Sequence, residues 1–172
     1  MSALQNQPEN INFLSPLGYR FTLKRAPTVL FFCTEINMPS VSMSEVNIPT
    51  PFKNFPLPGN KLDYGDLRVT FKVDESLKNY LEIYNWMHKI GKPEDFQQYA
   101  SLSNLPGSGE GAVSDATLTV LNSAMGPNAE VQFEDIFPTS LGEINFNSTD
   151  TDVNYVTVTA SFKFKLMKIN KL

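Results

Sequence analysis

The sequence predicts a mainly β fold, a β-sandwich or partly closed barrel of about seven antiparallel strands with one flanking α-helix, in a single domain over residues 1–172. Three observations carry this expectation. Apolar and polar residues alternate with period two in several separate stretches, among them Gly18–Arg25, Asp66–Val73, Asp115–Ser123 and the C-terminal strand. Only Glu75–Ile90 changes to the period of a helix. The composition, 41% hydrophobic and 19% charged, can bury a core and is unlike that of a disordered chain.

Residues 1–15 are polar and read as an N-terminal arm. Gly18–Arg25 alternates Tyr19, Phe21 and Leu23 against Arg20, Thr22 and Lys24, a strand that Ala26–Pro27 ends. Thr28–Ile36 is apolar on both parities and predicts a strand covered on both faces. Val41–Ile48 reads as a weak strand. Residues 49–65 hold Pro49, Pro51, Pro56 and Pro58 with Gly59 and Gly65, too many missing donors for a regular ladder. The same segment carries Phe52, Phe55, Leu57 and Tyr64, so it reads as an extended loop that docks on another surface.

Asp66–Val73 predicts a strand. In the helix, Leu77, Tyr80, Leu81, Tyr84 and Met87 form one stripe, and Ile83, Trp86 and Ile90 widen it. Asp74 or Ser76 would cap its start, and Gly91 with Pro93 would stop it. Residues 96–114 end in a Gly/Ser stretch and read as a flexible loop. Asp115–Ser123 predicts a strand, Met125–Asn128 a turn, and Ala129–Phe137 a strand whose phase slips at Glu134–Ile136, as at a bulge. Pro138–Asp152 reads as turns with a short strand at Ile144–Phe146. Asn154–Ile169 reads as one long strand, with Val156, Val158, Ala160, Phe162, Phe164 and Leu166 alternating against Tyr155, Thr157, Thr159, Ser161, Lys163 and Lys165. At about 3.3 Å per residue it spans roughly 50 Å, against a diameter of roughly 40 Å for a compact chain of this length. Such a strand either bends within its own domain or pairs with something beyond it.

Residues with catalytic potential do not converge. Cys33, the sole cysteine, excludes an internal disulfide and reads as a buried, inert thiol within an apolar run. His88, the sole histidine, falls on the helix surface. His/Cys zinc spacings, phosphate-cradling loops and a nucleophile elbow are absent from the sequence, which therefore predicts no enzyme, no cofactor and no metal. The acidic pairs Glu134–Asp135 and Asp150–Asp152 read as surface charge. Net charge is −4 with Lys and Arg scattered, which argues against a surface that grips nucleic acid. The start lacks the pattern of a signal peptide and the longest apolar run is short, so the expectation is a soluble, cytoplasmically made protein without membrane insertion. Several strands, as in "TLTV", "TVTAS" and "VSMS", show one face of small hydroxylated residues.

Two stretches together resemble a known family. Pro56–Met87, a Pro/Gly-rich loop leading to a strand, an acidic cap and a Trp-bearing helix, resembles the tail tube proteins of contractile-tailed bacteriophages of the T-even kind. Phe133–Phe164, with Phe137–Thr139 before Gly142–Glu143 and a long Thr/Val strand, resembles the C-terminal half of the same family. The resemblance implies a structural virion protein assembled in the host cytoplasm, whose hexameric rings join sheets into a continuous inner β-barrel and stack into a tube. It implies as partners the chain itself, the tail sheath protein, the tape-measure protein, and baseplate and neck proteins. DNA would pass through without specific binding. On that basis Phe52, Phe55, Leu57 and Tyr64 are candidates for contact between subunits or rings, and Ser42, Ser44 and Glu45 for the lumen wall, on Ile36–Ile48 and the strand opposing it. A wall of hydroxyl and acidic groups would not hold phosphates as Lys and Arg do. A baseplate tube initiator or tail terminator of the same fold is the neighbouring alternative, and a monomeric ligand-binding β-barrel the alternative of another class.

Overall fold

The computed structural model describes residues 12–91, 111–147 and 155–172. Among them are nine strands and two helices: β1 (Tyr19–Leu23), α1 (Pro27–Phe31), β2 (Cys33–Ile36), β3 (Val41–Pro49), β4 (Asn54–Tyr64), β5 (Leu67–Lys72), α2 (Lys78–Gly91), β6 (Ser114–Leu121), β7 (Pro127–Leu141), β8 (Thr157–Lys163) and β9 (Leu166–Lys171). The mainly β, antiparallel class is as the sequence predicts. Most of residues 1–15 and 96–114 lies outside the described residues.

The body is a seven-stranded sheet in the order β1-β6-β7-β8-β5-β2, with β9 also pairing β7. The 15-residue β7 serves two layers. Its first half lies between β6 and β9, and its second half pairs β8. The bend falls at the predicted slip. Asp135 has φ 55°, and the β6–β7 register shifts beside it. Curling brings the two ends of the strand order near each other, since the Cys33 thiol of β2 lies close enough to the Tyr19 phenol of β1 to help raise its pKa. Inside sit Phe21, Leu23, Leu67, Val69, Phe71, Val131, Phe133, Ile136, Val158 and Phe162, all buried. They are the apolar parity of each alternating strand, as in β5 and β8.

The helix α2 closes the core with Ile83 and Trp86, and the Trp86 indole N–H donates to the Ala112 carbonyl at 3.0 Å. The buried stripe is therefore the one expected only to widen the apolar face. Leu77, Leu81 and Tyr84 stay largely exposed. The start of α2 also differs from expectation. Ser76 donates to the Asp74 carboxylate, while the buried Asn79 accepts from the Asp74 N–H and donates to the Lys72 carbonyl at 2.8 Å. A side chain within the helix thus ties its first turn to β5.

Four further expectations need correction. Thr28–Ile36 is not one strand: Pro27 opens α1 at a position where its missing N–H and fixed φ suit a helix start, and only Cys33–Ile36 is extended. Glu82 of α2 anchors that short helix by accepting from the Thr28 N–H and hydroxyl. Ile144–Phe146 forms no strand, whereas the expected turn at Pro138–Leu141 continues β7. The long C-terminal strand is broken at Phe164–Lys165, and both halves pair within the molecule. Its register against β7 is the same on both sides of that break, Phe162↔Pro138 in β8 and Leu166↔Glu134 to Lys171↔Ala129 in β9, so a long strand of the same chain, rather than a neighbour, satisfies this edge. Among the described residues, β9 has no partner on its other edge.

The largest correction concerns residues 49–65. They are not a loop: Asn54–Tyr64 is a strand that pairs β3 in a two-stranded hairpin separate from the body sheet. The prolines do not break it because of their phase. Thr50 N–H donates to the Lys53 carbonyl at 3.2 Å, which makes 50↔53 a hydrogen-bonded pair. Counting back by alternation, Pro49↔Asn54, Asn47↔Pro56 and Glu45↔Pro58 are the pairs whose N–H groups point away from the partner. Three prolines thus cost the ladder no bond, and each removes one donor from an outer edge of the hairpin.

A candidate assembly surface

Among the described residues the hairpin β3–β4 has no second layer behind it, and nearly all its residues are exposed. Its cross-strand pairs are nonetheless apolar. Val46↔Leu57 and Ile48↔Phe55 face each other near the tip, and Met43↔Leu62 and Val41↔Tyr64 near the base. Between these sets the register slips: Ser44 alone opposes Gly59–Lys61. By alternation along β3, the tip pairs and the base pairs lie on opposite faces of the ribbon. Both faces therefore present apolar side chains to solvent, with Phe55 at 52% and Leu57 at 47% exposure. Phe52, at the turn, is fully exposed at 100%. A two-stranded hairpin alone is marginal in water, and exposed patches of this kind mark interaction surfaces.

Among the sequence candidates, Phe52, Phe55 and Leu57 come together at the tip. Tyr64 does not join them. It sits at the base with its ring 5.4 Å from that of Phe164, anchoring the hairpin to the body. The lumen candidates also divide. Ser42 and Ser44 share one face and donate to the Asp63 and Lys61 carbonyls of β4 at 3.3 and 3.5 Å, whereas Glu45 points to the other face.

A second hydroxylated surface covers the outer face of β2, β5, β8 and the end of β7, and sequence reasoning located it only in part. Thr70 and Thr159 share a hydrogen bond at 3.0 Å, Thr34 donates to the Thr70 carbonyl at 3.2 Å, and Thr139 donates to that of Ser161 at 3.1 Å. Arg68 and Lys72 stand on the same face as Thr70. The "TVTAS" alternation was the available signal. Thr34 and Thr139 were hidden because their segments read as a covered strand and a turn.

Nothing in the described residues assembles a reactive centre. No group of three or more His, Cys, Asp or Glu there could hold a metal. His88 packs its ring 5.6 Å from that of Tyr84 on α2. Cys33 is half-buried rather than buried, and desolvation pushes its thiol pKa up, so it stays protonated and unreactive at neutral pH. The pair at Glu134–Asp135 is paired off with Lys168 and with Lys165, the latter at 3.3 Å. Asp150–Asp152 lies outside the described residues. Among the described residues no helix is long and apolar enough to cross a membrane.

No family model and no curated protein sequence matches the chain. Solved structures do. The tube-terminating cap of the anti-feeding prophage is similar over 100% of both chains, with 13% identity and a TM-score of 0.62. A chain of the sheath–tube complex of the extracellular contractile injection system PVC matches at 13% identity and a TM-score of 0.54, over 100% of this chain and 99% of that one. A chain of the anti-feeding prophage baseplate, determined with six-fold symmetry, matches at 10% identity and a TM-score of 0.59, over 88% and 90%. The chain has the fold of these tube, cap and baseplate components of contractile injection systems.

Proposed function

We infer that this protein is a structural subunit of a contractile tail, a tube protein whose copies form hexameric rings that stack into a conduit inside a sheath. The observation that carries this reading is the β3–β4 hairpin, an apolar two-faced arm that the described residues leave uncovered. A fold shared over the full length with tube and cap chains supports it. Burying a Phe or Leu contributes about 1.5–3 kcal/mol, so docking Phe52, Phe55 and Leu57 on a neighbour would drive assembly, repeated once per subunit. Tape-measure, sheath, baseplate and neck proteins are the further partners of such a tube, and a phage virion its setting. DNA would be the cargo, passing a wall that includes Ser42, Ser44 and Glu45 without being gripped. The protein would act by shape, and no catalysis enters.

A second reading, a tube cap or terminator, is favoured by the end-to-end likeness to the anti-feeding prophage cap. Electron microscopy of the purified chain at high concentration separates the two. A tube subunit gives stacked rings and long tubes, a cap gives rings that do not stack, and a ligand-binding monomer gives neither.

A further inference from the structure

At the far end of β5 from the hairpin lies a groove of about 470 Å³. Phe32, Leu77, Ile144, Phe146, Tyr155 and Val156 line it, and Asp74 and Glu75 stand at its rim. Two of its walls stand unusually open to solvent, Phe146 at 84% and Tyr155 at 73% exposure. The Lys72 ammonium is turned onto the Tyr155 ring at 4.5 Å, and of the two rim carboxylates Asp74 also accepts from Ser76, so the groove carries two negative charges against one positive. A cavity of about 150 Å³ accepts a benzene ring, so this groove has room for more than one aromatic side chain. The hairpin tip, residues 49–57, offers Phe52 and Phe55 and one charge, Lys53.

The geometry points to the groove as the receptor for the hairpin tip of a second copy of this chain, Phe52 entering between Phe146 and Tyr155 and Lys53 facing Asp74 and Glu75. This rests on the reading of the chain as self-assembling and specifies where one copy grips the next. Apolar tip meets apolar groove, and one cation meets two carboxylates. Position agrees with composition. The hairpin base adjoins Leu67 and the groove adjoins Lys72, so the base and the receptor sit about 17 Å apart at opposite ends of one strand. The hairpin extends the reach by roughly a further 30 Å. Two different patches at opposite ends make a head-to-tail contact, the kind that repeats from copy to copy instead of stopping at a dimer. The exposed charges fix register and exclude wrong pairings more than they add affinity.

The test uses the full chain with Cys33→Ser, carrying Phe52→Cys and Phe146→Cys together, assembled at high concentration and treated with a mild oxidant. The expected result is a ladder of covalent oligomers on a non-reducing gel, with neither single-cysteine chain passing beyond a dimer. Rings or tubes that form without such a ladder overturn the docking site while leaving the assembly reading standing. A chain that stays monomeric in sedimentation overturns both. Cross-linking within one chain, or protection of the groove by the N-terminal arm, also overturns it. A charge exchange gives an independent check. Lys53→Glu and Glu75→Lys should each raise the concentration needed for assembly by roughly ten-fold or more, since facing like charges are strongly disfavoured, and the double exchange should restore it. If the double exchange is as impaired as either single variant, the pairing is wrong.

Discussion

A side chain on Gly59 would collide with the hydroxyl and carbonyl oxygens of Ser44, where one residue of β3 opposes three of β4. Only glycine allows the two backbones to close at this slip. Gly59→Ala should therefore disturb the hairpin and spare the body, whose core contains no hairpin side chain. The expected outcome is an unchanged melting transition by circular dichroism together with impaired assembly. A fall in melting temperature would show that the hairpin supports the body. Tyr19 makes a different prediction. Desolvation first, then the neighbouring Cys33 and Glu35, push its phenol from the usual 10.0 up to about 12. The folded state thus holds this proton after the unfolded chain has released it. The stabilisation is complete below pH 10 and is lost as pH climbs from 10 towards 12. Urea unfolding across that range should show a loss of stability that Tyr19→Phe reduces. Equal losses in both proteins would place the effect elsewhere.

Elements with one wet and one dry face were legible in the sequence. Tyr19–Leu23, Leu67–Lys72, Ser114–Leu121 and Thr157–Lys163 each bury one parity, so their pattern states their structure. Even the bulge at Asp135 announced itself as a slip of phase. The hairpin strand β4 was not legible, because its prolines were counted rather than phased: whether a missing N–H matters depends on the partner strand, which a single segment does not reveal. The short α1 was hidden for the opposite reason, since Val29–Cys33 is apolar in every position and carries no period at all. In α2 two apolar stripes compete, and the position of Trp86 decides between them. Its ring meets Phe162, its N–H bonds Ala112, and the Arg25 guanidinium lies 5.4 Å from it. Trp86→Ala should cost about 3–5 kcal/mol in urea unfolding. Trp86→Phe, which keeps most of the volume and loses the indole donor, should cost about 1–3 kcal/mol. Leu81→Ala on the exposed stripe should fall near zero; a loss as large as that of Trp86→Ala would make the outer stripe part of the core.

The whole molecule divides into a satisfied part and an unsatisfied one. The body sheet curls until its first and last strands come near each other, and it carries its own helix and core. The hairpin has apolar side chains on both faces, outer edges with donors removed at Pro49, Pro56 and Pro58, and a bare Phe52 at its tip. Of the sequence candidates, the contact residues Phe52, Phe55 and Leu57 fall together on this unsatisfied part, whereas Ser42, Ser44 and Glu45 fall on different faces of it, because their grouping rested on adjacency rather than on the pleat. On the proposed reading, stability belongs to the residues of the body and assembly to those of the arm. Sedimentation velocity of the wild-type chain beside Phe52→Ser/Phe55→Ser, over a wide concentration range and with melting curves recorded in parallel, tests this division most directly. The wild type should move to ring-sized and larger species as concentration rises, while the variant stays a monomer with the same melting temperature. A variant that assembles like the wild type, or that loses its fold, would contradict it.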